Sequence, residues 1–367
     1  MNTKILSIYL PQYYQTEYND KWWGTGYTEW TACRNAKPLF EGHCQPRVPY
    51  KEYDLSNYSA INEQAKMARQ NGVDGFAIYQ YYSLGNKLLN VPTELLLEHK
   101  EIDIDFCLYW ANESWESRWY GQNPETLWEQ QYGGKAEWEK HFNYCLPFFQ
   151  DSRYIKVDGK PVYMIYKDWS FKKVDNYIKY WNELAINNGF PGIYFIKTVG
   201  GLNNDHLGNF DAAFEREPFF TLNKSLGIKG KLYRYMRTRV VEVLNRKYLI
   251  KRGRGIVQYQ MNYGKCCNVI SKREMKNSDR TILGAFTDWD NSARRQYNST
   301  IFNGVTPEIF KECLKTQVQK AESCNSPFVI INAWNEWGEG NYMEPDELYG
   351  DAFLKAVKSI KFGDGND

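Results

Sequence analysis

The sequence predicts an α/β protein, a single (β/α)8 TIM barrel with long βα loops and one basic insertion. Three observations carry this: apolar runs alternate with amphipathic stretches from end to end, the runs number eight, and nearly every run ends in polar and aromatic residues. The runs, at 4–9, 75–79, 106–110, 162–166, 194–197, 212–214, 282–286 and 328–334, are near-continuous in Val, Ile, Leu, Phe and Tyr. Strands covered by helices on both faces read that way. Between them the punctuation is helical. Asp54 is placed to cap a helix whose inner face carries Tyr58, Ile61, Ala65 and Ala68 and which Gly72 stops. Val174, Tyr177, Ile178, Trp181 and Ala185 repeat at helical spacing before Gly189. Thr306-Pro307-Glu308 is an N-cap, a first-turn proline and a first-turn acid, ahead of Phe310, Cys313, Leu314 and Val318, and 349–360 forms a last helix. A doubly wound sheet is disfavoured because no glycine-rich phosphate loop follows the first run. From Lys197 to Ala212 there is room only for a short helix or a loop, so the fifth or sixth unit should be irregular. No repeat, low-complexity tract or linker divides the chain, which reads as one domain over 1–367.

Composition narrows the function. With 46 basic and 44 acidic side chains in 367 residues, the net charge of +2 argues against a nucleic-acid binder. No apolar stretch approaches the ~18 residues of a membrane span. The first apolar run ends at Pro11 without a small-residue cleavage site, so it reads as a core strand, not a signal peptide. The 8 cysteines form no C-x-x-C pair and the 4 histidines are scattered, which supports neither zinc nor any other cofactor, and reduced thiols suit a cytoplasmic address. The chain is rich in 13 Trp, 29 Tyr and 19 Phe, rings that fill a core and also stack on sugars.

Residues 224–254 break the composition: eleven are basic and one, Glu242, is acidic, leaving the remainder net acidic. Leu232, Met236, Val240, Val243, Leu244 and Tyr248 fall roughly on one helical face. The segment is either a solvated insertion whose apolar face docks on the barrel, or a basic helix for an anionic membrane surface, glycan or lipid phosphate. The second reading adds peripheral contact with the inner membrane face.

In a parallel barrel, catalysis sits where strands end. The ends here offer Gln12; Tyr79, Tyr81 and Tyr82; Trp110, Asn112 and Glu113; Asp168 and Trp169; Glu215-Arg216-Glu217; Asp288, Trp289, Asp290 and Asn291; and Asn335-Glu336-Trp337-Gly338-Glu339. Glu336 and Glu339 are the sharpest pair. Cleaving a glycosidic bond needs two carboxyl groups in opposed protonation states, and two near acids in an aromatic, poorly hydrated mouth push their pKa values apart. Alternatively they are loop acids held by backbone donors or by Arg294 and Arg295. Glu113 is either a third carboxylate of the site or the partner of an arginine such as Arg118. Asp288-Trp289-Asp290 matches the D-x-D of nucleotide-sugar transferases, a pattern short enough to arise by chance, and Asp290-Asn291 suits a turn or sugar hydroxyls equally. On a strand, Tyr79, Tyr81 and Tyr82 cannot all face one way, so one or two should line the cavity.

Several stretches then add up to a resemblance. Ile8-Tyr9-Leu10-Pro11-Gln12-Tyr13, Trp22-Trp23-Gly24-Thr25-Gly26-Tyr27-Thr28-Glu29-Trp30, Gln45-Pro46-Arg47-Val48-Pro49, Trp110-Ala111-Asn112-Glu113-Ser114-Trp115, Trp289-Asp290-Asn291-Ser292-Ala293-Arg294-Arg295, Asn332-Ala333-Trp334-Asn335-Glu336-Trp337-Gly338-Glu339-Gly340 and Glu344-Pro345-Asp346 occur in order. The chain resembles glycoside hydrolase family 99-like proteins of the WbsX type, found in surface-polysaccharide biosynthesis clusters. The resemblance implies a (β/α)8 barrel acting on an oligosaccharide or polysaccharide, free or lipid-linked, in O-antigen or capsule metabolism. Distant relatives are retaining, endo-acting α-mannosidases and mannanases. By their E-W-x-E-G motif, Glu336 would deprotonate the sugar 2-hydroxyl, giving a 1,2-anhydro intermediate, and Glu339 would be the general acid and then the base. Substrate contacts would come from Gln12, Tyr79, Tyr81, Trp110, Asn112, Glu113, Trp289, Asp290, Asn291, Asn335 and Trp337. WbsX-type proteins are often called glycosyltransferases of lipopolysaccharide or capsule, which is the alternative activity. Tyr79-Gln80-Tyr81-Tyr82-Ser83 departs from the Tyr-x-Tyr-Trp-Phe more usual there, which motivates a third reading, a non-catalytic glycan-binding barrel.

Overall fold

A computed structural model describes residues 3–116, 126–200, 206–224, 228–249, 255–275 and 280–363. Eight parallel strands form the wall of a barrel: β1 (Lys4–Tyr9), β2 (Gly75–Ser83), β3 (Asp105–Trp110), β4 (Lys160–Ile165), β5 (Tyr194–Val199), β6 (Ala212–Glu215), β7 (Thr281–Phe286) and β8 (Phe328–Asn332). Each is hydrogen-bonded to the next, and β1 lies between β2 and β8 with Leu6 opposite Gly75 and Lys4 opposite Phe328. That pairing closes the ring, so the protein is a (β/α)8 barrel. All eight strands fall on the eight apolar runs. From β1 to β5 and in β7 and β8 nearly every residue is buried, because helices cover the outside, where Tyr9 and Tyr163 bond Gln64 and His141, while Tyr79 and Tyr109 stack inside at 4.9 Å.

The loop after β1 carries α1 (Glu17–Trp23) and α2 (Glu29–Asn35) before α3 (Tyr58–Gln70) returns along the wall. After β2, β3 and β4 come α4 (Val91–Glu98), α5 (Lys135–Gln150) and α6 (Val174–Asn187), and the described residues between β5 and β6 form no helix. Over the described residues this agrees with the short 197–212 interval, of which 201–205 lie outside them. After β6 come α7 (Phe219–Lys224), α8 (Ile228–Leu244) and α9 (Tyr263–Lys272). The loop after β7 holds α10 (Ser292–Arg295) and leads to α11 (Pro307–Ser323); α12 (Ala352–Phe362) ends the ring.

Two local readings change. The cap of α3 is Asn57, whose side chain accepts from the Ser59 N–H at 3.0 Å; Asp54 is already engaged by the Ser56 N–H and hydroxyl at 2.8 and 2.6 Å. Starting there, the helix turns Tyr58 outward, where it stacks on His99 at 4.1 Å, and buries Ile61, Gln64, Ala65 and Ala68. The second change is larger. The apolar face of α8 does not dock on the barrel: Leu232, Met236, Val240, Val243, Leu244 and Tyr248 are exposed, while Val241 and Asn245 on the opposite face are buried. Of the basic residues in this stretch, Lys251, Arg252 and Arg254 lie outside the described residues. Among the described residues no helix is long and apolar enough to cross a membrane.

Candidate active site

At the C-terminal ends of the strands lies a cavity of about 440 Å³, room for a few sugar rings. Glu336 and Glu339 both line it. They sit on a tight turn: 335–336 pairs with 341–342, residues 337–339 form one short helical turn, and Gly340 adopts φ +61° to close it. The turn is fastened to the barrel. Leu10 N–H donates to Asn335 Oδ1 at 2.7 Å and Asn335 Nδ2 donates back to Leu10 C=O at 3.0 Å. The Tyr13 hydroxyl donates to the Asn335 carbonyl at 2.5 Å and accepts from Trp337 N–H at 3.0 Å.

Arg294, at the end of α10, gathers three carboxylates. Its Nη1 donates to Glu339 at 2.9 Å, its Nε to Glu29 at 2.5 Å, and its Nη2 lies 3.6 Å from Glu336, beyond hydrogen-bond reach. So the pairing with Arg294 that the sequence left open is present, yet it does not seal the acids away, because both face the cavity. Burial, and then the charge of Glu339, push the Glu336 carboxyl up to about 8 against the opposing Arg294 and Arg216. Glu336 therefore holds a proton near neutrality, and its Oε2 has no hydrogen-bond partner among the described residues. Gly338 between them has to be glycine: a Cβ there would run into the Glu29 carboxylate and come within 2.7 Å of Arg294 Nε.

Of the predicted contacts, Gln12, Tyr79, Tyr81, Glu113, Trp289 and Asn291 line the same cavity. Trp289 stands edge-on to Phe219 at 4.6 Å, and its buried Nε1 has no hydrogen-bond partner among the described residues. Tyr82 points the other way and stacks on His141 at 3.8 Å, as strand alternation requires. Glu113 pairs with Lys167; Arg118 lies outside the described residues.

Trp110, Asn112, Asp290, Asn335 and Trp337 do not line the cavity; they brace its wall. Trp110 donates to the Tyr82 carbonyl at 3.1 Å within an aromatic cluster behind β3. Asn112 ties the β3 loop to the β4 loop through both backbone groups of Lys167, at 2.7 and 2.9 Å. Asp290 is consumed by His43 and Gln45, both at 2.8 Å, and by Ser292 N–H, while Asp288 pairs with Arg47 at 2.7 Å. The D-x-D acids thus point into protein. Trp337 stacks on Tyr342 at 3.7 Å and donates to Glu344 at 2.7 Å. Glu215 and Glu217 turn to Arg273, at 2.6 and 2.8 Å.

Sequence reasoning missed Glu29 and Arg216 as residues of the cavity, although both lie in stretches it singled out. Arg216 is buried but lines the cavity, donating to the Tyr166 hydroxyl at 3.0 Å and lying over the Tyr166 and Phe219 rings. Its Nε has no hydrogen-bond partner among the described residues. Its place at the end of β6 was the available signal, outweighed by the two acids beside it.

Two structures of a GH99 endo-alpha-mannosidase from Bacteroides thetaiotaomicron match this fold with TM-scores of 0.55 and 0.54 at 13% identity, covering 97% of this chain and 95% and 96% of theirs. A structure described as a glycoside hydrolase-like protein matches at 0.58 with 12% identity, over 98% of this chain and 94% of that one. At such identities the likeness is one of fold. A protein called WxcX, from two strains of Xanthomonas campestris pv. campestris, is 29% identical over 362 residues, covering 96% of this chain and 49% of its own length. The chain therefore spans about half the length of these curated relatives. The family model described as Glycosyltransferase WbsX matches residues 5–357, and the chain belongs to that family.

Proposed function

We propose that this chain acts on a glycosidic bond of an oligosaccharide or polysaccharide, with Glu336 and Glu339 as the catalytic pair. The observation that carries this reading is that two acids three residues apart open into one aromatic-walled cavity with a single guanidinium beside both. Cleavage needs a proton delivered to the leaving oxygen and a base on the sugar side, and two carboxyl groups in one cavity can supply both. Tyr79, Tyr81 and Trp289 supply faces for sugar stacking, and Arg216 and the Trp289 indole N–H supply donors for hydroxyls. An α-mannoside-like, endo-acting, retaining reaction, and a role in surface-polysaccharide metabolism, follow from the resemblance to family 99-like proteins. In that scheme Glu336 takes the 2-hydroxyl proton and Glu339 protonates the leaving oxygen. Burial raises the Glu336 carboxyl to about 8, so in that scheme its proton passes to Glu339, which leaves Glu336 as the base and lets Glu339 protonate the leaving oxygen.

Replacing either acid by glutamine should lower turnover of the glycan by about 10²–10⁴-fold with little change in melting temperature. An aryl glycoside with an activated leaving group separates the roles: Glu339→Gln should recover on it if Glu339 is the acid, and recovery of Glu336→Gln instead would invert the pair. Near-normal turnover by both variants would end the assignment. Transfer from a nucleotide sugar is the less favoured activity, because Asp288 and Asp290 are both spent on protein partners. Glycan binding by wild type and both variants alike, with no product from any of them, would leave a binding barrel.

A further inference from the structure

The exposed face of α8 has no role in the chemistry above. Leu232, Met236, Val240 and Val243 are 60%, 53%, 51% and 48% exposed, at the spacing of one helical stripe. On the opposite side Val241 and Asn245 are 5% and 1% exposed and hold the helix to the protein, Asn245 through two hydrogen bonds with Ile256 at 2.8 and 2.9 Å. Tyr235 and Tyr248 flank the stripe, also exposed. An apolar stripe facing water is unfavourable unless something covers it. The charge of this stretch of sequence indicates what. Eleven of residues 224–254 are basic against the lone Glu242, and of these Arg239 and Lys247 are exposed beside the stripe. A helix with an outward apolar stripe, tyrosines at its margin and a strongly basic setting is the pattern of a helix lying in a lipid interface.

We propose that α8 docks this protein on an anionic lipid bilayer, with Leu232, Met236, Val240 and Val243 entering the headgroup boundary. Thr238 of α8, with Gln258 and Tyr259 at the start of the short strand Tyr259–Asn262, belongs to the cavity wall. Docking by this helix therefore brings the sugar cavity alongside the membrane, where a glycan carried on a lipid is presented. The docking stands on the surface alone and not on the chemistry of the cavity.

Co-sedimentation with vesicles tests it without any activity. Wild type should bind phosphatidylcholine vesicles containing about 30% phosphatidylglycerol far better than phosphatidylcholine alone, because only the former carries a negative surface potential. Raising salt to about 1 M, which shortens screening to about 3 Å, should weaken that binding about tenfold or more. The double variant Met236→Asp/Val240→Asp, at two half-exposed positions, should keep its melting temperature and lose about tenfold or more in vesicle affinity. Absent binding of wild type to the anionic vesicles, equal binding to both vesicle types, or undiminished binding by the double variant would each overturn the proposal. So would sedimentation showing that the stripe joins two copies, with wild type dimeric and the double variant monomeric.

Discussion

Two acids in the loop after β8, Glu336 and Glu344, are both almost wholly buried, and burial raises both carboxyls, to about 8 and about 7. Their surroundings differ. Glu344 receives four donors, from Trp334 and Trp337 indoles at 3.1 and 2.7 Å, Gln64 at 2.6 Å and Tyr53 at 2.7 Å. Glu336 has one guanidinium at 3.6 Å and an oxygen without a hydrogen-bond partner. A raised pKa thus does not by itself mark a working acid, since burial raises it in Glu344 too, against four hydrogen bonds that lower it. What distinguishes the pair is satisfaction: one acid ties the wall together, the other faces the cavity with bonding capacity unused.

The contrast can be broken from its structural side first. Glu344→Ala strands four buried donors, each costing about 1–3 kcal/mol, so unfolding free energy should fall by about 3 kcal/mol or more in denaturant titrations. If Glu344→Ala folded as stably as wild type and merely lost turnover, the assignment of roles would be reversed. The next effect is in pH. Glu336 is raised from 4.5 to about 8, so the native state binds more protons than the unfolded chain between those values. Its contribution is full below about 4.5 and is lost as pH rises through about 8, up to a few kcal/mol at ~1.4 per pKa unit. Glu336→Gln should therefore gain on wild type as pH rises across that window, and parallel stability curves would refute the buried proton. The smallest effect concerns the wall. Trp289→Phe removes the unpaired indole N–H but keeps a ring, so KM should rise about tenfold with melting unchanged, consistent with ~1 kcal/mol for one lost hydrogen bond. Trp110→Phe, which loses a bond to the Tyr82 carbonyl, should instead lower stability and leave KM alone.

The sequence carried much of this, unevenly. The runs at 4–9 and 282–286 were legible because strands covered on both faces keep apolar side chains without interruption. Glu336 and Glu339 were legible because the loop after the last strand must open at the catalytic end of a barrel. Asn112 and Asp290 looked like sugar contacts from the same position, but their amide and carboxylate bond neighbouring loops instead. Nothing local distinguishes a polar side chain that turns inward to brace a loop from one that turns toward substrate.

By itself, the order of residues determined the alternation of strand and helix, the number of units and the loops that hold the polar groups, because periodicity and caps act over a few residues. Folding in three dimensions decided which groups meet. Glu29 reaches Arg294 across 265 positions, and the outward turn of α8 depends on Val241 and Asn245 finding the protein first. A helical stripe states that one face is apolar; only the packing of the opposite face decides whether that stripe meets the core or water.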